Sequence, residues 1–183
     1  EACVTLPEMI ALEEATIQVG SPDDEPGRTK DEVAREATVE AFALSRHEFT
    51  QGQYELIVGD NPSASCGLPA GVDLPVACVS WHDAIRFCNR MSERIGVEPA
   101  YRFEGGVVVW DRASEGVRLP TEVEWERAAS QELESVLAGG DLPDAVSWFR
   151  GNADGMAHPV GEMRPTTGGV HDLSGNVAEW VWD

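Results

Sequence analysis

Asp172–Asp183, DLSGNVAEWVWD, constrains this chain more than any other stretch, because it demands a polar turn and heavy aromatic packing side by side. Ser174-Gly175-Asn176 is turn chemistry: glycine tolerates backbone angles closed to other residues, and asparagine closes a hydrogen bond onto nearby backbone. Val177, Trp180 and Val181 follow at once and call for apolar cover. Asp172 and Glu179 bracket the turn. Rigid backbone carbonyls between two carboxylates suit a hard cation such as Ca²⁺. A tight turn leading into a core strand would account for the same residues without an ion. Spacing leaves both open, and in either case the rest of the chain must supply the core on which the stretch closes.

The 183 residues suit one domain, residues 1–183, with a sizeable core. Acids outnumber bases 33 to 13, a formal charge of −20, and Lys30 is the only lysine. A surface of that sign repels phosphate backbones, which argues against nucleic acid as a partner. No run approaches the ~18 consecutive apolar residues of a membrane span, and no charged-then-apolar leader is present. The start at Glu1 rather than Met reads as a processed chain or a fragment. Four cysteines are too few for a disulfide scaffold. Cys3 has no placeable partner. Cys66 and Cys78 flank the loop CGLPAGVDLPVAC and stay open between a disulfide and two free thiols. No zinc spacing exists among Cys and His.

In chain order, Met9–Gly20 alternates loosely and reads as a strand running into a turn. Ser21–Glu32 is a charged loop without an apolar anchor. Ala37–Leu44 is strand-like, with Val39, Ala41 and Ala43 on one side. Thr50 is an N-cap for a helix over Gln51–Val58, with Tyr54 and Ile57 inward and Gly59 as its stop. His47 has no partner at ligand spacing and receives no site role. Ser80 opens the clearest helix. Trp81, Ala84, Ile85, Cys88, Met91 and Ile95 form one apolar stripe, Arg86, Asn89, Arg90 and Glu93 the solvated back, and Gly96 the end. Cys88 is expected as a buried small hydrophobe.

Tyr101–Trp110 reads as a hairpin around Glu104-Gly105-Gly106. Gln131–Val146 looks like an insertion with a short amphipathic segment, Trp148-Phe149 anchor the return, and Gly151–Gly161 and Pro165–Gly169 are loops. Short strands, two firm helices and abundant ordered loops predict the α+β class.

Arg118–Glu126, RLPTEVEWE, carries a written helix start. Thr121 caps it and Glu124 completes a capping box, while Glu122, Glu124 and Glu126 place negative charge at the positive end of the helix dipole. RLPTEVEWERAA followed by DLSGNVAEWVWD resembles the paired signatures of the formylglycine-generating enzyme, or sulfatase-modifying factor, family. His47-Glu48-Phe49-Thr50 is similar to that family's entry to its first helix, and Asn61-Pro62-Ser63 to its NPS loop. Leu74-Pro75-Val76 leading to Val79-Ser80-Trp81, and GNADGMAHPVG over Gly151–Gly161, extend the likeness from about Met9 to the last residue.

The resemblance implies a C-type-lectin-like arrangement built on a small twisted sheet. It implies oxidation of a cysteine in a sulfatase to formylglycine with O₂ and copper, so the implied partner is a sulfatase or another protein or peptide substrate. Cu(I) takes soft thiolates, and the family supplies them from two cysteines in a segment after the terminal motif. None of Cys3, Cys66, Cys78 or Cys88 matches those positions. The expectation is a family domain lacking its C-terminal segment, with no catalytic and no cofactor-binding residue to name and no site for copper. Ala178 replaces the family's usual tryptophan, and His171 its usual aromatic.

Matching the motif position by position implies one structural Ca²⁺. It would be held by side-chain oxygens of Asp172 and Glu179 and by the carbonyls of Leu173, Gly175 and Val177. Asn176 would hold the turn, and Gly175 would let the chain curl around the ion where a side chain would crowd the turn. Asn152 and Ala153 match the start of a second calcium site known in the family, but Asn152–His158 is too short to complete it. Two functions stand: a formylglycine-generating-enzyme-like domain inactive as given, or a non-catalytic, lectin-like binding module.

Overall fold

The computed structural model describes residues 4–21, 29–30, 32–131 and 135–183. Cys3, residues 22–28 and 31 of the charged loop, and residues 132–134 of the insertion lie outside the described residues. Near the amino terminus one long antiparallel hairpin is bent into two ladders. β1 (Met9–Leu12) pairs with β4 (Phe42–Ser45), and β2 (Ala15–Val19) pairs with β3 (Arg35–Val39). The single strand expected over Met9–Gly20 is therefore two, separated at Glu13-Glu14. The bend also changes which face points inward. Val39 is buried and Phe42 and Leu44 are half-buried, whereas Ala41 and Ala43 are exposed. Strand alternation holds only within one unbroken ladder, so a pattern read across the bend assigns the alanines to the wrong face.

α1 (Gln51–Val58) starts on Thr50, whose hydroxyl accepts from Gln53 N–H while the Gln53 side chain reaches back, and ends at Gly59 with φ 85°. α2 (Pro62–Ser65) is a short helix inside the NPS segment, capped by Asn61. α3 (Trp81–Ile95) has the same capping-box logic from Ser80 and Asp83, and Gly96 at φ 81° closes it. Ile85, Cys88 and Met91 are buried as the stripe requires. Phe87, off that stripe, is buried too, its ring stacked 5.1 Å from Tyr54 of α1. The helix has two neighbours: Ile85 and Cys88 pack toward Ala100, Tyr101 and Leu119, while Phe87 and Met91 pack toward α1. The buried arc is accordingly wider than one stripe, and Ile95 at the far end is 47% exposed. Asn89 is not on a solvated back. Its amide donates to the Tyr101 carbonyl at 2.8 Å and accepts from the Tyr101 N–H at 3.2 Å.

β5 (Tyr101–Glu104) and β6 (Val107–Trp110) form the expected hairpin, with Gly105 and Gly106 both at positive φ as a tight two-residue turn requires. α4 (Glu122–Ala129) carries the Thr121–Glu124 capping box, and α5 (Pro143–Val146) is a single turn in the insertion. The α+β class stands, its β component being three two-stranded antiparallel sheets among the described residues. Cys66 and Cys78 are disulfide-bonded, and Cys88 is free and buried. Among the described residues no helix is long and apolar enough to cross a membrane.

The end of the chain closes an aromatic cluster. Trp182 stacks on Tyr101 at 5.1 Å and lies 5.3 Å from Trp81 and 5.4 Å from Trp110. Trp180, expected under cover, is 50% exposed and lies across the surface with its indole N–H on the Val79 carbonyl. No strand forms here. The segment is held by its Trp182 N–H on the Pro120 carbonyl and by Trp81 Nε1 donating to the Val181 carbonyl.

Candidate functional site

The loop before that aromatic anchor is shaped by polar atoms. Asp172 and Asn176 take left-handed backbone angles, φ 65° and 62°. Ser147 Oγ donates to the Ser174 carbonyl at 2.6 Å, and Ser174 Oγ accepts from Ala138 N–H. Asn176 N–H donates to the Trp148 carbonyl at 2.8 Å, and its side chain binds both the N–H and the carbonyl of His158. Gly175 sits in the bend, and what it supplies there is the absence of a Cβ rather than a left-handed φ. Its φ is not in the left-handed region, and a Cβ would stand 2.2 Å from the Trp148 carbonyl oxygen and 2.7 Å from Ser147 Oγ. Close backbone approach excludes any side chain.

Asp172, Leu173, Gly175, Val177 and Glu179, the whole sequence-derived ligand set, line one open cavity of about 380 Å³ together with Trp125, Trp148 and Phe149. Asp172 is 4% exposed. Its Oδ2 accepts from Gly161 N–H at 2.7 Å, while its Oδ1 is buried without a hydrogen-bond partner. Burial raises the Asp172 pKa, with the Gly161 N–H opposing. Glu179 is exposed as a residue, and the Trp125 indole N–H donates to its Oε2 at 2.6 Å. Desolvation, opposed by that bond and aided by the Asp172 charge, brings the carboxyl to about 7.

The Ser174 carbonyl accepts from Ser147 Oγ, and the Asp172 carbonyl accepts from Gly175 N–H within the loop. Among the described residues, the carbonyls of Leu173, Gly175 and Val177 accept none. No group of three or more His, Cys, Asp or Glu side chains converges among the described residues. A pair of carboxylates supplemented by carbonyls is a donor set for a hard, oxygen-seeking cation, and the partnerless Asp172 oxygen fits one.

Sequence reasoning missed Glu48. It is 8% exposed, and its carboxylate accepts from Val177 N–H at 3.1 Å and from Asn176 Nδ2 at 2.7 Å. Burial, then the nearby Glu179 and Asp172 charges, push its pKa up to about 9 against the pull of those two hydrogen bonds. The only local hint was an acid just before Phe49 and the Thr50 cap, where the chain enters the core. Glu48 borders a second, mostly apolar cavity of about 190 Å³ that lies under Leu44, Phe87 and Trp180. Leu173, Val177, Ala178 and Glu179 line both cavities.

Other sequence candidates are engaged within the protein. Asn152 Oδ1 accepts from Phe149 N–H at 2.8 Å, and the Ala153 carbonyl meets His158 Nε2 at 3.1 Å. The His158 ring stacks on Trp148 with centroids 3.7 Å apart. His47 Nδ1 contacts the Glu48 carbonyl, and His171 Nδ1 the Met163 carbonyl, so both histidines brace backbone. The described cysteines do not fit Cu(I). Two are bonded to each other, and burial pushes the Cys88 thiol up to about 12, far from the thiolate that metal binding requires.

The profile of the sulfatase-modifying factor enzyme 1-like domain matches residues 1–183. The chaperone protein LppX of Paenibacillus barcinonensis is 31% identical over 184 residues, which cover 81% of this chain and 64% of that protein. This chain thus spans less than two thirds of LppX. The formylglycine-generating enzyme of Mycobacterium tuberculosis is 27% identical over 234 residues, covering 96% of this chain and 74% of the enzyme. Among solved structures, Treponema denticola variable protein 1 superposes with a TM-score of 0.83 at 28% identity, over 95% of this chain and 72% of that one. PvdO from Pseudomonas aeruginosa does so with a TM-score of 0.72 at 26% identity, over 97% and 70%.

Proposed function

The chain belongs to the formylglycine-generating enzyme, or sulfatase-modifying factor, family, and from that premise we propose that residues 1–183 act as a calcium-organised, non-catalytic binding domain. The observation that carries the reading is the buried, partnerless Asp172 Oδ1 on a cavity shared with Glu179 and three carbonyls. Asp172 and Glu179 would hold the ion, with Leu173, Gly175 and Val177 offering carbonyl oxygens. Bound there, Ca²⁺ supplies the positive charge that two neighbouring desolvated carboxylates lack. The protein's part is rigidity: Ser147, Trp148 and His158 hold the loop from one side, and Trp182 anchors its end in the aromatic cluster.

A protein or peptide is the partner class we infer, because the relative LppX is named a chaperone protein. Members of one fold take unrelated functions, and the described thiols of this chain do not offer the family's copper chemistry. The second reading, formylglycine formation, is favoured by the similarity to the M. tuberculosis enzyme across 96% of this chain.

Melting with calcium and with chelator tests the site. Calcium at a hundredfold its Kd stabilises a folded-state site by about 2.7 kcal/mol, so the melting temperature should rise for the intact chain and not for Glu179→Ala. Stabilisation of neither, or of both equally, removes the site assignment. Incubation of residues 1–183 with Cu(I), reductant, O₂ and a Cys-x-Pro-x-Arg peptide should give no aldehyde by mass spectrometry. Copper-dependent turnover would replace the first reading with the second.

A further inference from the structure

Glu48 reaches the terminal loop from the opposite end of the sequence. Its two oxygens take two donors in the middle of the proposed ligand set: the Asn176 amide at 2.7 Å and the Val177 N–H at 3.1 Å. These donors lie between the carbonyls of Gly175 and Val177. Because the peptide group is planar, fixing the Val177 N–H fixes the whole Asn176–Val177 plane. That plane sets the direction in which the chain leaves toward the Val177 carbonyl and Glu179. Asn176 is a non-glycine residue at φ 62°, a conformation that persists only where its surroundings over-determine it. Trp148 and His158 bind Asn176 from the carboxy-terminal half. Glu48 supplies the opposing contact.

Glu48 is not placed to be a ligand. Both its oxygens are engaged by N–H donors, and although it shares the apolar cavity with Leu173, Val177 and Glu179, it does not line the cavity that holds Asp172. We propose that Glu48 is the positioning residue of the calcium loop, setting calcium affinity by clamping Asn176 and the Val177 peptide without touching the ion. This rests on the calcium reading of the site.

Calorimetric titration with Ca²⁺ of the intact chain, Glu48→Gln and Glu48→Ala tests it, alongside melting of each protein in chelator. A glutamine offers one acceptor where two donors arrive and keeps one of the two bonds. Supporting groups one step removed from a metal set affinity by roughly 10- to 100-fold. Glu48→Gln should therefore weaken calcium binding about tenfold and Glu48→Ala toward a hundredfold. A residue that only stabilises the fold would lower the melting temperature in chelator yet leave the calcium Kd within about twofold of the intact chain, and that result overturns the proposal. If Glu48→Ala does not fold, the Kd of Glu48→Gln decides by the same criterion. Absence of calcium binding by the intact chain would remove the site, and the proposal with it. Binding that is equal across the intact chain and the Glu48 variants would remove the proposal alone.

Discussion

The α3–hairpin region and the terminal loop solve the same problem, holding a chain still, by opposite means. Around α3, Ile85 and Ala100 are fully buried, Tyr101 is 2% exposed, and three indoles close over them. That cohesion is apolar burial, worth about 25 cal/mol per Å² and indifferent to direction, so a small loss of volume costs little. In the loop, Gly175, Asn176 and Ser147 hold the backbone through individual polar contacts and a close approach. There one misplaced atom costs far more than its size, because a buried polar group without its partner forfeits its hydration. The last twelve residues cross from one regime to the other: Asp172 belongs to the polar side, Trp182 to the aromatic one.

Gly175→Ala should break the comparison most visibly. Its Cβ meets backbone rather than a flexible side-chain tip, so we expect a loss of about 3 kcal/mol together with the calcium response. A melting temperature within a degree or so of the intact chain would mean the loop adapts as freely as an apolar core.

Arg118→Ala places a directional contact inside the aromatic region. Arg118 holds Glu124 through two bonds of 2.7 Å while lying over the Trp110 ring. We expect a loss of about 2 kcal/mol at neutral pH. Burial alone would raise the Glu124 pKa, but Arg118 and Thr121 hold it below its ordinary value of 4.5. A depressed carboxylate stabilises the fold above its unfolded pKa and ceases to do so as pH falls through the folded one. The stability gap between the intact chain and Arg118→Ala should thus narrow on acidification below 4.5. A gap that stays constant with pH would assign the effect to lost packing on Trp110.

Ile85→Val should cost about 1 kcal/mol and leave calcium affinity unchanged. A large change in affinity would show that the two regions are mechanically coupled. Cys88 marks the small end of the scale. Its buried thiol should resist labelling in the native protein at pH 8 and react quickly once unfolded, and rapid native labelling would show that the apolar region opens readily.

Local features are legible in the order of residues. Thr50, Ser80 and Thr121 cap helices, Gly59 and Gly96 end them, and Gly105-Gly106 turns the hairpin. Each rests on contacts between residues three or four apart, or on one residue's backbone freedom, and neighbours in sequence suffice to specify those. The burial of Cys88 is legible because helical period is itself a local property. The terminal motif also points to residues that line one cavity, Asp172, Leu173, Gly175, Val177 and Glu179, since they are close together in the chain.

Tertiary structure alone decided the rest. It split Met9–Gly20 between two partners, turned Asn89 onto the Tyr101 backbone, and packed a half-buried Trp182 into the aromatic cluster while Trp180, expected under cover, stays half exposed. It also joined Cys66 to Cys78, two thiols whose spacing leaves the question open. The clearest cases are Gly175 and Glu48. Glycine is needed because the Trp148 carbonyl, far back in the chain, comes too close for a Cβ. Glu48 matters because it reaches residues 128 and 129 positions away. Such contacts are not periodic and involve single atoms, so they leave no pattern in the order of residues, and only the folded chain brings their partners together.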